Sequence, residues 1–291
     1  MAPTTIRIAM LNADIPVSNV LSQRGTYGNI FHTLLSQAAS RISPDTSIIS
    51  TDYDVREGQY PLSLSDVDVI LITGSASSAY DNLEWIHRLD DYVYDVYTNY
   101  PRIKMFGSCF GHQLICQSLL REFGVTVEKD PNGWELGVKK VELADEFIDA
   151  LKASSKTAAC RPLEKAPKSV RLQMVHADHV NIPSDHTMPS SWTTFGSTKH
   201  CRVQGVYQPN RVLTFQGHFE FDRFINSETM KVFGAAWDRE VLQQTLEAID
   251  AEDDSRVAAK IVLRFMTEKS PVKGTATRAV VGGLLTPPLQ E

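Results

Sequence analysis

The sequence predicts an α/β fold: a doubly wound, mostly parallel sheet with helices on both faces. Three observations lead there. Short apolar runs alternate with longer segments of helical period through the first half of the chain. Those runs are apolar at nearly every position, which marks strands covered on both faces. A turn of glycine and other small residues follows two of them, at the strand ends where such sheets place their ligands.

Taken in order, Ile6 to Asn12 reads as a buried strand ended by polar residues. Tyr27 to Ser40 carries Ile30, Phe31, Leu34, Leu35 and Ala38 at helical spacing. Ser47 to Asp52 and Val67 to Thr73 read as two further strands, the second almost wholly apolar. A long helix follows from Leu83 to about Asn99. Lys104 to Phe106 then leads through Gly107 into a helix from about Gly111 to Phe123. Beyond this the pattern loosens. Strands are predicted at Val138 to Leu143, Val170 to His176, Thr193 to Ser197, Val203 to Gln208 and Val212 to Gln216, and a helix at Asp253 to Thr267. With no repeat and no linker, residues 1–269 read as one domain, and residues 270–291, rich in glycine and proline, as an irregular C-terminal tail.

Composition narrows the function. A hydrophobic fraction of 42% and a charged fraction of 22% over 291 residues allow an ordinary core. The net charge of −6 gives no support to nucleic acid or anionic membrane as a partner. No run nears the roughly 18 apolar residues of a membrane span, and the first residues lack the basic-then-apolar order of a signal peptide. Cys109, Cys116, Cys160 and Cys201 are scattered, without a CxxC pair or a metal-ligand rhythm, which suits free thiols in the cytoplasm. No phosphate-binding loop or second nucleotide fingerprint follows to suggest a synthetase domain, and neither a cofactor nor a metal is expected.

The chemistry concentrates in Gly107-Ser108-Cys109-Phe110-Gly111-His112-Gln113, at the junction of a strand and a helix. Glycines flanking one reactive side chain there permit a tight turn that lifts it above the sheet. A thiol at a helix N-terminus also meets a partial positive charge that favours the thiolate. Taken alone, such a cysteine reads equally well as a small buried residue. A nucleophilic thiol needs a base, and His218 stands at the end of an apolar strand in Gly217-His218-Phe219-Glu220. The i, i+2 spacing puts Glu220 on the same side as His218, where it can fix the imidazole tautomer. After the strand ending at Thr73, the turn Gly74-Ser75-Ala76-Ser77-Ser78 offers backbone N–H groups to a developing oxyanion.

The Gly-x-Cys-x-Gly-x-Gln stretch, with its histidine and glutamate, resembles the class I glutamine amidotransferases. That resemblance runs from about residue 6 to residue 225 and implies a flavodoxin-like fold. It further implies a Cys109–His218–Glu220 triad, and an oxyanion hole from the N–H groups of Phe110 and of Ser75, with Gly74 giving the turn its freedom. Gln113 would hold the glutamyl part of the substrate. Val175-His176-Ala177-Asp178-His179 looks like the family segment that holds the substrate's α-amino and α-carboxylate groups, which gives His176 and Asp178 a binding role. The same histidines also read as ordinary loop or core residues, and His176, Asp178 and His179 also have the ligand types of a metal site. Two departures stand out: Phe219 replaces the family's proline, and Gly74-Ser75-Ala76 its Gly-Gly-Pro-type turn.

Four functions compete on this reading. The segments around Thr26-Tyr27-Gly28 and Tyr80-Asp81-Asn82 resemble stand-alone fungal and plant members, among them γ-glutamyl peptidases that trim glutathione conjugates. The first reading is therefore a cysteine hydrolase that cleaves the amide of glutamine or of a small γ-glutamyl compound. The others are a glutaminase subunit feeding ammonia to a separate synthetase, a flavodoxin-like cysteine lyase or chaperone-like protein, and a non-catalytic binding protein. The partners this implies are a small γ-glutamyl substrate and either a homo-oligomer or a separate ammonia-using enzyme.

Overall fold

The computed structural model describes residues 4–154, 166–183 and 188–268. Cys160 and the tail expected over residues 270–291 lie outside them. Strand β1 (Thr4–Asn12) is followed by helices α1 (Ser18–Arg24) and α2 (Tyr27–Ile42), then by β2 (Thr46–Asp54) and β3 (Val69–Ile72). Helix α3 (Glu84–Asn99), β4 (Lys104–Ser108), α4 (Phe110–Leu120) and β5 (Thr126–Lys129) complete the first half. The second half runs β6 (Glu135–Leu143), α5 (Asp145–Ser154), β7 (Ser169–His176), β8 (Asp178–Asn181), β9 (Thr193–Thr194) and β10 (Gly196–Ser197). It ends with β11 (Val206–Gln208), β12 (Val212–Phe215), α6 (Arg223–Phe233), α7 (Arg239–Ile249) and α8 (Ser255–Thr267).

The main sheet has the order β2-β1-β3-β4-β12-β11-β9. Strands β2, β1, β3, β4 and β12 run parallel, while β11 and β9 add an antiparallel edge. Side chains alternate between its faces: Val69 and Leu71 of β3 join one apolar cluster, Ile70 and Ile72 the other. The first cluster takes residues from α2, α5, α8 and the small β10-β6-β7 sheet; the second takes them from α3 and α4. The sheet is thus covered on both faces.

Local chemistry sets several boundaries. Thr26 caps α2 through a reciprocal pair with Asn29, which satisfies first-turn N–H groups. Buried Lys104 donates to the carbonyls of Phe265, Met266 and Glu268 at 2.7, 2.9 and 2.6 Å, tying the start of β4 to the end of α8. Burial pulls its ammonium down to about 8.

Two differences from the sequence expectation have physical causes. The stretch Thr193 to Ser197 divides between two sheets, β9 in one and β10 in the other. The break falls at Phe195, whose ring is fully buried against Phe147 and Phe215 and whose N–H turns to Gly205. Helices α1, α5, α6 and α7 and strands β5 and β8 were not expected. They are short, and α7 buries only Thr245 and Ile249, too few positions to set a period.

Candidate active site

The parallel strands β1, β3, β4 and β12 all end on one edge of the sheet, and the reactive residues follow those ends. Cys109 lies between the last residue of β4 and the first of α4, with φ +50° and ψ −106°. A non-glycine residue in that region is strained and persists only where its surroundings hold it. Here they do. Its N–H donates to Phe215 O at 2.8 Å, and its carbonyl accepts from Gln113 N at 3.0 Å. A Cβ on Gly111 would come within 2.4 Å of Ile72 O, so α4 can cross β3 this closely only with glycine there. Phe110, the first residue of α4, has an N–H with no acceptor inside the helix.

His218 follows the end of β12 and pairs antiparallel with Gln173, its N–H donating to Gln173 O at 2.8 Å. Its Nδ1 donates to Glu220 Oε1 at 2.7 Å, and Ser108 Oγ donates to the same oxygen at 3.0 Å. All three side chains are buried. Among the described residues, His218 Nε2 has no hydrogen-bond partner of good geometry. Burial alone would lower the imidazole's affinity for a proton, but the Glu220 carboxylate and the Cys109 sulfur beside it push its pKa up to about 10. Phe219, the residue in the proline's place, is buried against Phe31, Phe106 and Phe215. It anchors the segment into the core while the flanking His218 and Glu220 line the pocket. Phe221 stacks on the imidazole at 4.1 Å between ring centres.

Cys109, His218, Glu220, Tyr27, Asp14 and Gly74 line a pocket of about 180 Å³. A Cβ on Gly74 would fall 2.9 Å from His218 Cε1 and 3.6 Å from Cys109 Cβ, so the turn after β3 closes directly over the two reactive side chains. Asp14 holds that turn by accepting from Ala76 N at 2.8 Å and Ser75 Oγ at 3.5 Å. An adjoining cavity of about 400 Å³ also reaches Cys109 and is lined by Ser75, Gln113, Trp134, His176 and Asp178. A larger recess of about 810 Å³ at Lys139, Lys199 and Gln244 contains none of the reactive groups. Volume therefore does not pick out the site; chemistry does.

The expected substrate-side residues are all at this cavity, but their polar atoms are largely engaged. Gln113 Nε2 donates to Asp178 O and to Gln216 Oε1, both at 3.1 Å. The Asp178 carboxylate accepts from Ser78 Oγ at 2.5 Å and Tyr80 OH at 3.0 Å. His176 uses both ring nitrogens, on Asp178 O at 3.0 Å and Glu135 Oε2 at 2.9 Å. His179 stands beside Asp130, its Nδ1 3.4 Å from Oδ2. Gln216 was missed by the sequence reading: its Nε2 reaches Cys109 Sγ at 3.5 Å. Its place just before Gly217-His218 was the available signal. Asp14 and Tyr27 were likewise missed, since strand-end and helix-start positions carry no motif of their own. Burial pushes the Cys116 thiol far up and that of Cys201 to about 12, and neither lines the pocket.

A doubly wound α/β protein with a cysteine, a histidine and a glutamate gathered at its strand ends is the class that fold and site define. The family model described as glutamine amidotransferase class-I matches residues 27–230, and the chain belongs to that family, with its flavodoxin-like fold. A glutamine amidotransferase-like protein of Schizosaccharomyces pombe is 27% identical over 267 residues, covering 90% of this chain and 98% of that protein. Gamma-glutamyl peptidase 3 of Arabidopsis thaliana is 25% identical over 175 residues, 60% of this chain and 63% of that protein. The crystal structure of a glutamine amidotransferase from Thermotoga maritima superposes with a TM-score of 0.57 at 17% identity, covering 90% of this chain and 96% of the other; at that identity it shows the fold alone.

Proposed function

We propose that this protein is a hydrolase that cleaves the γ-glutamyl amide of glutamine or of a small glutathione-like compound through a thioester on Cys109. The observation that carries the reading is the His218–Glu220 hydrogen bond of 2.7 Å, made beside Cys109 in one pocket. Glu220 fixes the proton on Nδ1 and leaves Nε2 to hold the proton taken from the Cys109 thiol, in keeping with the raised proton affinity of this imidazole. The sulfur attacks the γ-carbonyl carbon, and the oxygen that becomes negative is held by the N–H groups of Phe110 and Ser75, each worth on the order of 3 kcal/mol. His218 returns its proton to the departing nitrogen as the C–N bond breaks, giving a free amine or ammonia and the γ-glutamyl thioester. Water, deprotonated by the same imidazole, then attacks the thioester and releases glutamate and the thiol. The adjoining cavity, with Gln113, His176 and Asp178, positions the glutamyl moiety.

The γ-glutamyl peptidase relative favours a peptide amine as the leaving group and water as acceptor. A second reading, glutaminase action feeding an ammonia-using partner, is favoured by the match to the amidotransferase family model. Incubating the purified chain with glutamine, glutathione and glutathione conjugates, and scoring ammonia and glutamate separately, decides between them. Peptidase action gives glutamate without ammonia from glutathione-like substrates. Ammonia from glutamine that rises only when another protein is supplied supports the subunit reading, and no release from any substrate overturns both.

A further inference from the structure

We propose that Asp130, His179 and Cys201 form a zinc-binding site separate from the Cys109 pocket. The three residues each offer one ligand atom, and those atoms lie within 4.8 Å of one another. Asp130 follows β5, His179 lies on the paired strand β8, and Cys201 sits in the loop between β10 and β11. The sequence separates them widely, and the fold gathers them.

The independent sign of a ligand is the Asp130 carboxylate. Its side chain is fully buried, and Oδ2 has no hydrogen-bond donor among the described residues. Oδ1 accepts from Asn132 N at 2.8 Å. A buried carboxylate oxygen without a donor is costly, and a cation removes that cost. His179 Nδ1 and His200 Nε2 stand 3.4 and 3.5 Å from Oδ2, close to it without hydrogen-bond geometry. The Asp130–His179 spacing matches a ligand-to-ligand edge of tetrahedral zinc, about 3.3–3.8 Å from its bond lengths and angle.

The remaining contacts are few. His179 Nε2 lies 3.5 Å from Glu128 Oε1, His200 Nε2 is 3.2 Å from Gly133 O, and Cys201 Sγ meets Val203 O at 3.5 Å. A thiolate, an imidazole and a carboxylate form a zinc donor set; magnesium and calcium ask for oxygen alone. The fourth position falls to water. A cation here would deprotonate Cys201 and join the β5–β8 ribbon to the loop that carries Cys201. The same ribbon carries Asp178, which reaches Ser78 at the cavity wall and also Tyr80. The site would thus brace the substrate cavity from behind without entering the reaction.

The test uses the full chain carrying Cys109→Ser, so that the pocket thiol cannot bind metal. Produced with zinc in the medium and dialysed exhaustively, it should retain one zinc per chain by elemental analysis. Adding Cys201→Ser or Asp130→Asn should bring zinc to background and lower Tm. Because those variants could lose the fold itself, Co²⁺ is titrated into the zinc-stripped Cys109→Ser chain. A thiolate-to-cobalt charge-transfer band is expected there, and it should disappear with Cys201→Ser in protein that keeps its circular dichroism. A Cys109→Ser chain without zinc and without the band overturns the proposal, as does zinc binding that survives Cys201→Ser.

Discussion

His218 bonds Glu220 across 2.7 Å, and His176 bonds Glu135 across 2.9 Å, so among the described residues these two buried imidazole–carboxylate pairs share nearly the same geometry. They differ in what the second ring nitrogen meets. In His176 it faces the Asp178 carbonyl, and Glu135 is further held by Thr198 Oγ1 and Gln204 Nε2, both at 2.7 Å. Burial opposes the Glu135 charge, but the His176 and Thr198 hydrogen bonds outweigh it and hold the carboxyl below its ordinary range. With both nitrogens engaged by protein acceptors, that ring has neither open to a substrate. Among the described residues the second nitrogen of His218 has no hydrogen-bond acceptor or donor of good geometry, and it lies in the pocket that also holds Cys109. On the proposed function, the same pair of side chains is a brace in one place and a base in the other. What separates them, among the described residues, is whether the second nitrogen faces a protein acceptor or the pocket.

The comparison can be broken by mutation, most severely at the nucleophile. Cys109→Ala and His218→Ala should each lower kcat on a γ-glutamyl substrate by on the order of 10⁴-fold or more. Cys116→Ala should leave steady-state turnover within a few-fold of the parent. Glu220→Gln should cut kcat by roughly 10²–10⁴-fold with little change in unfolding midpoint, because it disturbs the tautomer rather than the packing. Glu135→Gln should show the opposite split: a loss of about 1.5–3 kcal/mol in urea denaturation, with kcat reduced only several-fold.

A pH series sharpens the contrast. The imidazole of His218 has a pKa raised from 6.5 to about 10, so the stabilisation from its protonated form is complete below 6.5 and lost as pH rises through about 10. Thermal melts of His218→Gln should lack that part of the alkaline decline; an unchanged slope would place its cause elsewhere. The smallest effect belongs to an exposed ion pair. Arg88 and Glu84 meet at 2.5 Å with side chains 48% and 86% exposed, and Arg88→Ala should shift stability by less than about 1 kcal/mol in the same denaturation assay.

Much of the fold was legible because its central strands are apolar on both faces and its long helices keep a clean period. Short elements such as α7, which bury two side chains, left no such trace. In the site, Cys109 and the His218–Glu220 pair were legible because their partners are local: a turn bounded by glycines, and two residues at i, i+2. Glu135 and His176 are 41 residues apart and meet only because β6 and β7 pair in a register that sets them opposite one another. Gln216 against Gln113, 103 residues distant, is hidden for the same reason. Residue type announces what a side chain can do, but strand register decides whether its atoms are engaged.

The most direct test is to identify the covalent intermediate. The chain is mixed with glutamine or glutathione, quenched in acid during turnover, digested, and its cysteine peptides are weighed by mass spectrometry. The account predicts one added γ-glutamyl group, on the peptide that carries Cys109, absent from Cys109→Ala. An adduct on Cys116 or Cys201, or a substrate burst equal to the enzyme concentration with Cys109 unmodified, would contradict it.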